Sequence, residues 1–465
     1  MDSAALRRLF LGCLRRETTM GQLQKFIAQV LAFDGFKVAA VYWETPDGVR
    51  FIPVGPVSAS ANAVIIVRMR RVWSGRCSDC AARCRKTHEH TPVRRWRDLP
   101  WAGRAVKIEY APDRLFCEAC QAACVELLPW ADRYQRETQR FQQHLALQAQ
   151  SMPSSHVAAQ YGVDWHCVRR AEKHALERWL ATREPVPLTM VGIDEKYLGR
   201  RNLRQRKFLT IVSNLDTGEP IWIGEGRCEA TLNLWLNSLT APDKAAIKLF
   251  AVDMFTAFSN AINSHEDLRH AAIVHDPFHV MRRALEALDE LRRETFFRAG
   301  PELRGIGRGT RWLFLRAWER STKEQQSQLR TLLGHNRRLA HGYQVIEELR
   351  DVLHAPDGLT MATGLVHVMK RTERRDNRPM RKLHDSLERH FEQIVALGEH
   401  HPPTGRIEAL NNNWETAVRQ GRGYRDLDFL MLKVRFMVAN PIRNDDGVRR
   451  FLALGLPTPY RAAVA

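Results

Sequence analysis

The sequence predicts a multidomain α/β protein, in which N-terminal zinc-binding and helix-turn-helix modules precede a mixed α/β domain with an all-helical insertion. Three observations predict this class. Two Cys-x-x-Cys pairs lie within residues 73–130, strand-like apolar runs occur between residues 188 and 274, and a helical pattern runs from residue 281 to about 400. At roughly 100 to 200 residues per domain, 465 residues suffice for about three domains.

The composition indicates a polyanionic partner. The chain has 71 Lys and Arg against 52 Asp and Glu, a formal net charge of +19. Nucleic acid is the commonest soluble polyanion. No apolar run approaches the roughly 18 residues of a membrane span, and the patch 9–14 is too short for a signal-peptide core. We therefore expect a cytoplasmic protein without a membrane partner.

The first 72 residues are predicted to form a small α+β module. A helical start is followed by strand-like runs at Gly35–Trp43 and Val64–Met69, with a Pro-Asp-Gly turn at Pro46–Gly48. These runs are rich in β-branched and aromatic residues, which favour strands.

Residues 73–130 are predicted to form a zinc module. Cys77, Cys80, Cys117 and Cys120 offer four thiolates, which suits tetrahedral zinc, and the 36 residues between the two pairs leave room for connecting strands. Four ligands fill a structural site, so additional donors must be spectators or alternates. The alternative is a set of free core cysteines. Whether any of the neighbouring donors joins the site stays open; these are Cys84, Cys124, His88 and His90.

Residues 131–184 have the outline of a helix-turn-helix. A helix can start at Pro153, Gly162 can supply the turn, and Asp164 can cap a second helix. That second helix carries His166, Arg169 and Arg170, and it would enter the major groove of DNA. The surrounding residues 66–140 hold 16 Arg and Lys against 9 acids, so they form either a DNA-docking surface or a solvated basic face.

Prolines at positions 185 and 187 end the helical pattern and mark a domain boundary. Beyond it, five strand-like runs, the third and fourth separated by a helical segment, suggest a mixed sheet. We assign residues 188–280 and 401–440 to the α/β domain, 281–400 to the helical insertion and 441–465 to a C-terminal tail. The five runs are Leu188–Ile193, Phe208–Asn214, Ile221–Glu225, Ile247–Val252 and Ala271–Val274.

Three carboxylates lie at the ends of predicted elements. Asp194 closes the first strand of this domain, Asp253 closes the fourth, and Glu408 lies on a polar helix after the insertion. Two aspartates and a glutamate could hold two hard divalent cations, which would promote in-line phosphoryl transfer. By spacing alone, the three acids could equally be surface charges or helix caps.

Several motifs together resemble the ISL3 family of bacterial insertion-sequence transposases. They are Val-Gly-Ile-Asp-Glu at Asp194, Ala-Val-Asp-Met at Asp253, His-Asp-Pro-Phe-His-Val at residues 275–280, and Gly-Arg-Ile-Glu-Ala-Leu-Asn-Asn at Glu408 with Gly-Tyr-Arg at residues 423–425. The resemblance covers about residues 60 to 440. It implies an RNase H-like catalytic domain whose helical insertion lies between the second aspartate and the glutamate.

The resemblance also implies that Asp194, Asp253 and Glu408 form the catalytic triad, with Mg²⁺ or Mn²⁺ as its metal. Asp194 would bridge two ions, and each of the other two acids would complete one site. Asp276 and His279 would support the site or face phosphate, or else form a structural strand end.

Basic residues near these acids are candidate DNA contacts, because cations offset the repulsion between carboxylates and phosphates. Each group could instead be a solvated face. The groups are Lys196, Arg200, Arg201, Arg204, Arg206 and Lys207 after Asp194, and Arg419, Arg422 and Arg425 after Glu408.

The expected function is that of a transposase acting on double-stranded DNA, both the ends of its element and the target. It would act as a homodimer or higher oligomer, because an element has two ends, and it would be associated with the bacterial nucleoid. The alternatives are a metal-dependent DNA nuclease and a catalytically silent DNA-binding regulator derived from a transposase.

Overall fold

A computed structural model describes residues 16–52, 63–200, 206–298, 300–373, 377–421 and 424–455. The apolar patch 9–14 and the predicted DNA contacts Arg201, Arg204 and Arg422 lie outside these residues. The described chain forms two compact units. The first contains the residues up to Arg183 and those from Asn440 onward, and the second contains most of the rest.

A five-stranded sheet forms the centre of the first unit. Its strand order is β2-β1-β3-β6-β5, and only the β3–β6 pair is parallel. Apolar side chains such as Ile66, Val67 and Ile108 are fully buried in it because the helix α1 covers one face. The elements are α1 (Arg16–Leu31), β1 (Phe36–Glu44), β2 (Arg50–Phe51), β3 (Val64–Arg71), β5 (Arg94–Trp101) and β6 (Arg104–Tyr110).

A small three-stranded sheet carries the two Cys-x-x-Cys pairs. Its order is β4-β7-β8, with β4 at Lys86–His90, β7 at Asp113–Cys117 and β8 at Ala122–Val125. The stretch between the cysteine pairs contributes β5 and β6 to the larger sheet, so it forms connecting strands as the spacing predicts.

Three helices follow in the first unit, interrupted at the predicted positions. They are α2 (Gln139–Gln148), α3 (Ser154–Tyr161) and α4 (Trp165–Ala181). Gly162 ends α3 in the left-handed conformation, with φ +59°, and the Asp164 side chain accepts a hydrogen bond from the His166 N–H at the start of α4. The stretch after Pro441, predicted to be a tail, contains the helix α18 (Asp445–Ala453), which contacts α2.

A second five-stranded sheet organises the other unit, in the order β11-β10-β9-β12-β13. β9, β10 and β11 are antiparallel, whereas β12 and β13 run parallel to β9. Every residue of β12 is buried, which explains why this strand is a continuous apolar run without alternation. The strands are β9 (Met190–Arg200), β10 (Arg206–Asn214), β11 (Glu219–Glu225), β12 (Leu249–Val252) and β13 (Ala272–His275).

Helices cover both faces of this sheet because its strands alternate their apolar side chains. Val191, Ile193 and Val212 pack against the helices α5 and α7, and Ile211 packs on the opposite face against α16 and α17. Each fully buried apolar side chain of this kind contributes about 1.5–3 kcal/mol. The helices are α5 (Glu229–Leu236), α6 (Ala241–Ala246), α7 (Thr256–Asn263), α16 (Gly405–Gly421) and α17 (Leu427–Ala439).

The stretch between β13 and α16 is helical throughout its regular elements, as predicted. Its buried leucines, including Leu288, Leu291 and Leu349, form a large apolar core together with residues of β12 and β13. A membrane-spanning helix needs about 20 apolar residues, and no described helix combines that length and apolarity. The helices are α8 (Pro277–Phe297), α9 (Pro301–Gly307), α10 (Arg311–Leu315), α11 (Lys323–Gly334), α12 (Arg337–Val352), α13 (Gly358–Thr372), α14 (Arg378–Arg389) and α15 (Phe391–His400).

Candidate functional site

Two aspartates lie side by side on neighbouring strands of the second sheet. β9 and β12 are parallel, and Ile193 pairs with Val252, so the next residues, Asp194 and Asp253, occupy adjacent positions. Neighbouring strands lie about 4.8 Å apart. Because Ile193 and Val252 point into the core beneath α5 and α7, the following side chains turn to the opposite face. Only 10% of the Asp194 side chain and 16% of the Asp253 side chain are exposed.

Asp194 does not end its strand, contrary to the prediction. β9 continues to Arg200 and pairs with β10, so Asp194 lies in the strand interior, opposite Ile211. The apolar run stops at Ile193, but the backbone pairing goes on through polar residues. Asp253 directly follows β12, as predicted.

An imidazole lies between the two carboxylates. His279 Nδ1 is 3.1 Å from Asp253 Oδ1, and its Nε2 is 3.7 Å from Asp194 Oδ1. His279 lies in the first turn of α8, and the N-terminal end of a helix carries partial positive charge. His279 therefore contacts both acids directly, and the helix start adds positive potential to their site.

Asp276 caps the helix that carries His279. Its carboxylate caps α8 by accepting a hydrogen bond from the Phe278 N–H at 3.0 Å. Burial raises the pKa of Asp276 to about 6, and the nearby charges of Asp194 and Asp253 act in the same direction. This contact fits the alternative of a structural strand end.

The helix α16 is held against the acidic pair by Asn411. The Asn411 amide donates a hydrogen bond of 2.7 Å from Nδ2 to Asp194 Oδ2. The helix approaches β9 closely at Gly192, where an added Cβ would lie 3.1 Å from Ile407 Cγ1 and 2.7 Å from Leu215 Cδ2. Asn411 was not identified as a site residue from the sequence, although its position one turn after Glu408 was the available signal.

Glu408 lies on the flank of α16, exposed, one helical turn before Asn411. Metal-ligand atoms that lie within 4.8 Å of one another form a close group. Among the described residues, the carboxylates of Glu408, Asp194 and Asp253 do not form such a group. A two-ion site does not need such a group, because its ions lie about 4 Å apart and each takes different ligands. The structure therefore brings the two aspartates together and puts Glu408 on the adjoining helix.

A cavity of about 590 Å³ opens in front of the acids. Both aspartates and Asn411 line it, together with Lys196 and Arg227. The Arg227 guanidinium lies 4.1 Å from the centre of the Phe208 ring and 3.2 Å from the Glu195 carboxylate. Lys196 is one of the predicted DNA contacts. Arg227 was missed because it stands alone in the sequence, outside every basic run.

The donors at this cavity suit a hard divalent cation. Carboxylate oxygens are the ligands that Mg²⁺ prefers, and two largely buried carboxylates side by side repel each other unless positive charge lies near them. The residues present therefore fit a divalent metal.

The first unit contains a cysteine cluster with zinc geometry. The sulfurs of Cys77, Cys80, Cys117 and Cys120 all lie within 4.8 Å of one another. The Cys77–Cys120 and Cys80–Cys117 sulfur distances are 3.9 and 3.5 Å. A tetrahedral site with Zn–S bonds of 2.3 Å has sulfurs about 3.8 Å apart, so the four predicted ligands fit zinc.

The neighbouring cysteines Cys84 and Cys124 are buried, and burial raises the pKa of both thiols. Neither belongs to the group of close ligand atoms found among the described residues.

The two predicted histidine alternates lie away from the four sulfurs. His90 has an 85% exposed side chain whose Nδ1 lies 2.8 Å from Asp113 Oδ1, and His88 is exposed on β4. Neither belongs to the group of close ligand atoms found among the described residues.

The predicted recognition helix presents a basic surface. His166 and Arg170 are exposed on α4, and Arg169 is half-buried, while Cys167 and Val168 pack into a core with α2 and α3. Arg170 forms an ion pair of 3.4 Å with Glu137.

A basic cavity of about 430 Å³ lies at the start of this helix. β5 and β6 contribute Arg95, Arg97 and Lys107, and Arg136, His166 and Arg170 complete the cationic lining. Arg97 donates a hydrogen bond of 2.6 Å to the Tyr161 carbonyl, and burial lowers the pKa of Arg97. Among the described ion pairs, none involves Arg97, Lys107 or Arg136.

The remaining predicted DNA contacts are less informative. Arg419 forms an ion pair of 3.0 Å with Glu415, and Arg425 is exposed. Arg200 and Arg206 face each other across the β9–β10 pair, and Lys207 follows in β10; only their backbone is described.

Two family models match the chain. Residues 191–434 match one described as a transposase, and residues 126–176 match one described as the helix-turn-helix domain of transposase family ISL3. The first range contains Asp194, Asp253 and Glu408, and the second contains α3 and the first two-thirds of α4, up to residue 176.

Two relatives are similar over most of their length. The chain is 30% identical to the transposase for insertion sequence element IS1001 of Bordetella parapertussis, over 77% of the chain and 87% of the relative. It is 25% identical to the transposase for insertion sequence element IS1557 of Mycobacterium tuberculosis, over 78% of the chain and 86% of the relative.

Proposed function

Since the chain belongs to the ISL3 family of transposases, we propose that it binds the terminal inverted repeats of an insertion sequence and catalyses metal-dependent strand cleavage and strand transfer. The paired aspartates on β9 and β12, with α16 bonded to one of them through Asn411, carry this proposal. The mixed sheet, with three antiparallel strands followed by two parallel ones, supports an RNase H-like catalytic domain.

The catalytic residues would be Asp194 and Asp253, which line the cavity, and Glu408 on the adjoining helix α16. When bound there, two Mg²⁺ or Mn²⁺ ions would activate the attacking oxygen and stabilise the leaving oxygen of the scissile phosphate. Asp194 is at the centre of the proposed site, because it lies beside Asp253 on the neighbouring strand and accepts a hydrogen bond from Asn411 on α16. Asn411 orients the Asp194 carboxylate by donating to one of its oxygens. His279 and Lys196 reduce the repulsion between this acidic pair and a phosphate.

DNA would be held by the first unit. The family assignment and the helix-turn-helix match imply DNA binding, and α4 is the helix that would read the major groove. The basic cavity beside it supports a phosphate contact, since Arg97, Lys107 and Arg136 are cations without a carboxylate partner in the described structure. The zinc module would fix β5 and β6, which carry two of these cations. Pairing of the two element ends calls for a dimer or higher oligomer.

Mutation of the second aspartate tests the proposal. Asp253→Ala should abolish Mg²⁺-dependent nicking and joining of a duplex that carries the element end, while leaving binding in a gel-shift assay nearly unchanged. Asp267→Ala removes an exposed aspartate paired with Lys244 on the surface and is the matched control. Unchanged cleavage by Asp253→Ala would refute the assignment.

The same assay separates the alternatives. Binding of the wild-type protein without nicking would indicate a regulator, and nicking without joining would indicate a nuclease. Both steps together, with dependence on Asp253, are the result expected for a transposase.

A further inference from the structure

A second cavity adjoins the catalytic one. It has a volume of about 620 Å³ and lies along α8 in the helical insertion. Phe278 and Arg282 line both cavities, so the two spaces share a wall. Phe278 directly precedes His279, which contacts Asp194 and Asp253, and whatever occupies the second cavity is therefore a neighbour of the reacting phosphate.

The shared wall is an exposed aromatic ring. The Phe278 side chain is 52% exposed although it lies in the first turn of a helix whose other apolar residues pack inward. Beyond it the cavity wall continues with Met281, Leu285 and Leu315. An exposed aromatic ring at the mouth of an apolar cavity is suited to stack on another flat ring.

The rim of this cavity is cationic. Four arginines line it against two acids, and Asp289 is shared by Arg293 at 3.4 Å and Arg311 at 3.5 Å. Arg282 pairs with Glu286 at 3.5 Å and Arg350 pairs with Glu347 at 3.4 Å, while the Arg350 Nε is buried away from solvent.

We propose that the second cavity receives one unpaired nucleobase of the DNA strand being cut, stacked on Phe278. This inference rests on the proposed transposase function. A nucleobase is flat and apolar on its faces, which matches the ring and the apolar wall. The adjoining nucleotide's phosphate then lies in the cavity of Asp194 and Asp253, since Phe278 and Arg282 line both cavities, and the arginines of the rim complement the charged backbone.

A base held in this way leaves the duplex stack at the position of the cut. Unstacking costs free energy, and stacking on Phe278 offsets that cost. The cavity therefore positions the strand for attack on the phosphate next to the displaced base.

The test uses 2-aminopurine, a fluorescent base whose emission rises when it leaves the stack. It is placed in turn at each position around the cut in a duplex carrying the element end, taken from the DNA flanking the gene. The full-length protein is added with Ca²⁺ in place of Mg²⁺. We expect the emission to rise at one position next to the scissile phosphate with the wild-type protein, and not with Phe278→Ala.

Three variants complete the design. Phe278→Tyr should retain the rise because the ring is retained. Leu359→Ala changes another exposed apolar side chain of the insertion, 80% exposed, and should behave as wild type. Phe278→Ala should slow single-turnover cleavage about tenfold, as expected for the loss of one stacked base, with unchanged end binding and an unchanged melting temperature.

The outcomes are separable. Saturating binding with no position that brightens, or a rise that persists in Phe278→Ala, overturns the nucleobase site and leaves the transposase proposal intact. A rise abolished equally by Leu359→Ala also overturns it, because Leu359 does not line the cavity and the effect would then not be specific to Phe278. Absence of both binding and cleavage by the wild-type protein overturns the proposed function and this inference together.

Discussion

The bond between Asn411 and Asp194 predicts the effect of Asn411→Ala on cleavage. The amide donates to a carboxylate that is 7% exposed, at 2.7 Å. A hydrogen bond to a charged group is worth about 1.5–3 kcal/mol, and each 1.36 kcal/mol is a tenfold change in rate. We therefore expect Asn411→Ala to slow cleavage by about 10- to 150-fold, because the Asp194 carboxylate loses its orientation and α16 loses its polar contact with the sheet.

The assay is single-turnover nicking of an end-containing duplex at saturating Mg²⁺. Asn412→Ala is the matched control, since it removes the next amide of the same helix, whose side chain is exposed. End binding should stay unchanged in both variants because the contact belongs to the second unit, whereas α4 belongs to the first. Equal cleavage rates for Asn411→Ala and Asn412→Ala would refute the positioning role of Asn411.

Three further predictions concern zinc, packing and pH. The double substitution Cys77→Ser with Cys80→Ser, or removal of zinc by a chelator, should unfold the zinc module and weaken binding to the element end. The prediction would be contradicted if elemental analysis found no zinc in a protein that retains its affinity for the end. Gly192→Ala puts a methyl group 2.7 Å from Leu215 Cδ2 and should lower the free energy of unfolding by about 1–3 kcal/mol in a denaturant titration, whereas Gly334→Ala, in open space, should not. Burial lowers the pKa of His275 to about 4, below that of the unfolded chain, so its contribution to stability is complete above about pH 6.5 and declines as the pH falls toward 4. Wild type should lose about 2 kcal/mol more than His275→Gln between pH 7 and 5, and equal losses in the two proteins would contradict the assignment.

Much of the fold could be predicted from local pattern. The predicted β-branched or apolar runs overlap β1, β3 and the five strands of the second large sheet, whereas β2, β5 and β6 were not individually predicted. The breaks at Gly162 and Pro153 separate α2, α3 and α4 as expected. The polar half of β9 could not be seen this way, because a strand without alternating apolar residues has no period to detect. The helix α18 was missed although Asn444 caps it and two aspartates begin it, since Pro441 suggested a loop.

The site residues that could be predicted from the sequence are those with a charged side chain or a specific spacing. Asp194 and Asp253 follow apolar runs, so their convergence follows from the parallel pairing of β9 and β12. The zinc cysteines were found because their spacing is specific, and their sulfurs do cluster. Asn411 and Arg227 were not identified: the position of Asn411 one turn after Glu408 was a signal that was not used, and the isolated Arg227 gives no local signal. Their importance comes from tertiary contacts with Asp194, Glu195 and Phe208.

The contact between Asn411 and Asp194 joins positions 217 residues apart in the chain. During translation, β9 leaves the ribosome long before α16 exists, and the whole helical insertion must be synthesised in between. A chain that terminates prematurely within the insertion thus lacks both Asn411 and Glu408. Such a fragment would retain the cysteine cluster and α4 but would also lack α18, which packs on α2 in the first unit. Under the proposed function, it would carry the DNA-contacting helix without Glu408, so incomplete synthesis would yield a protein that does not cut.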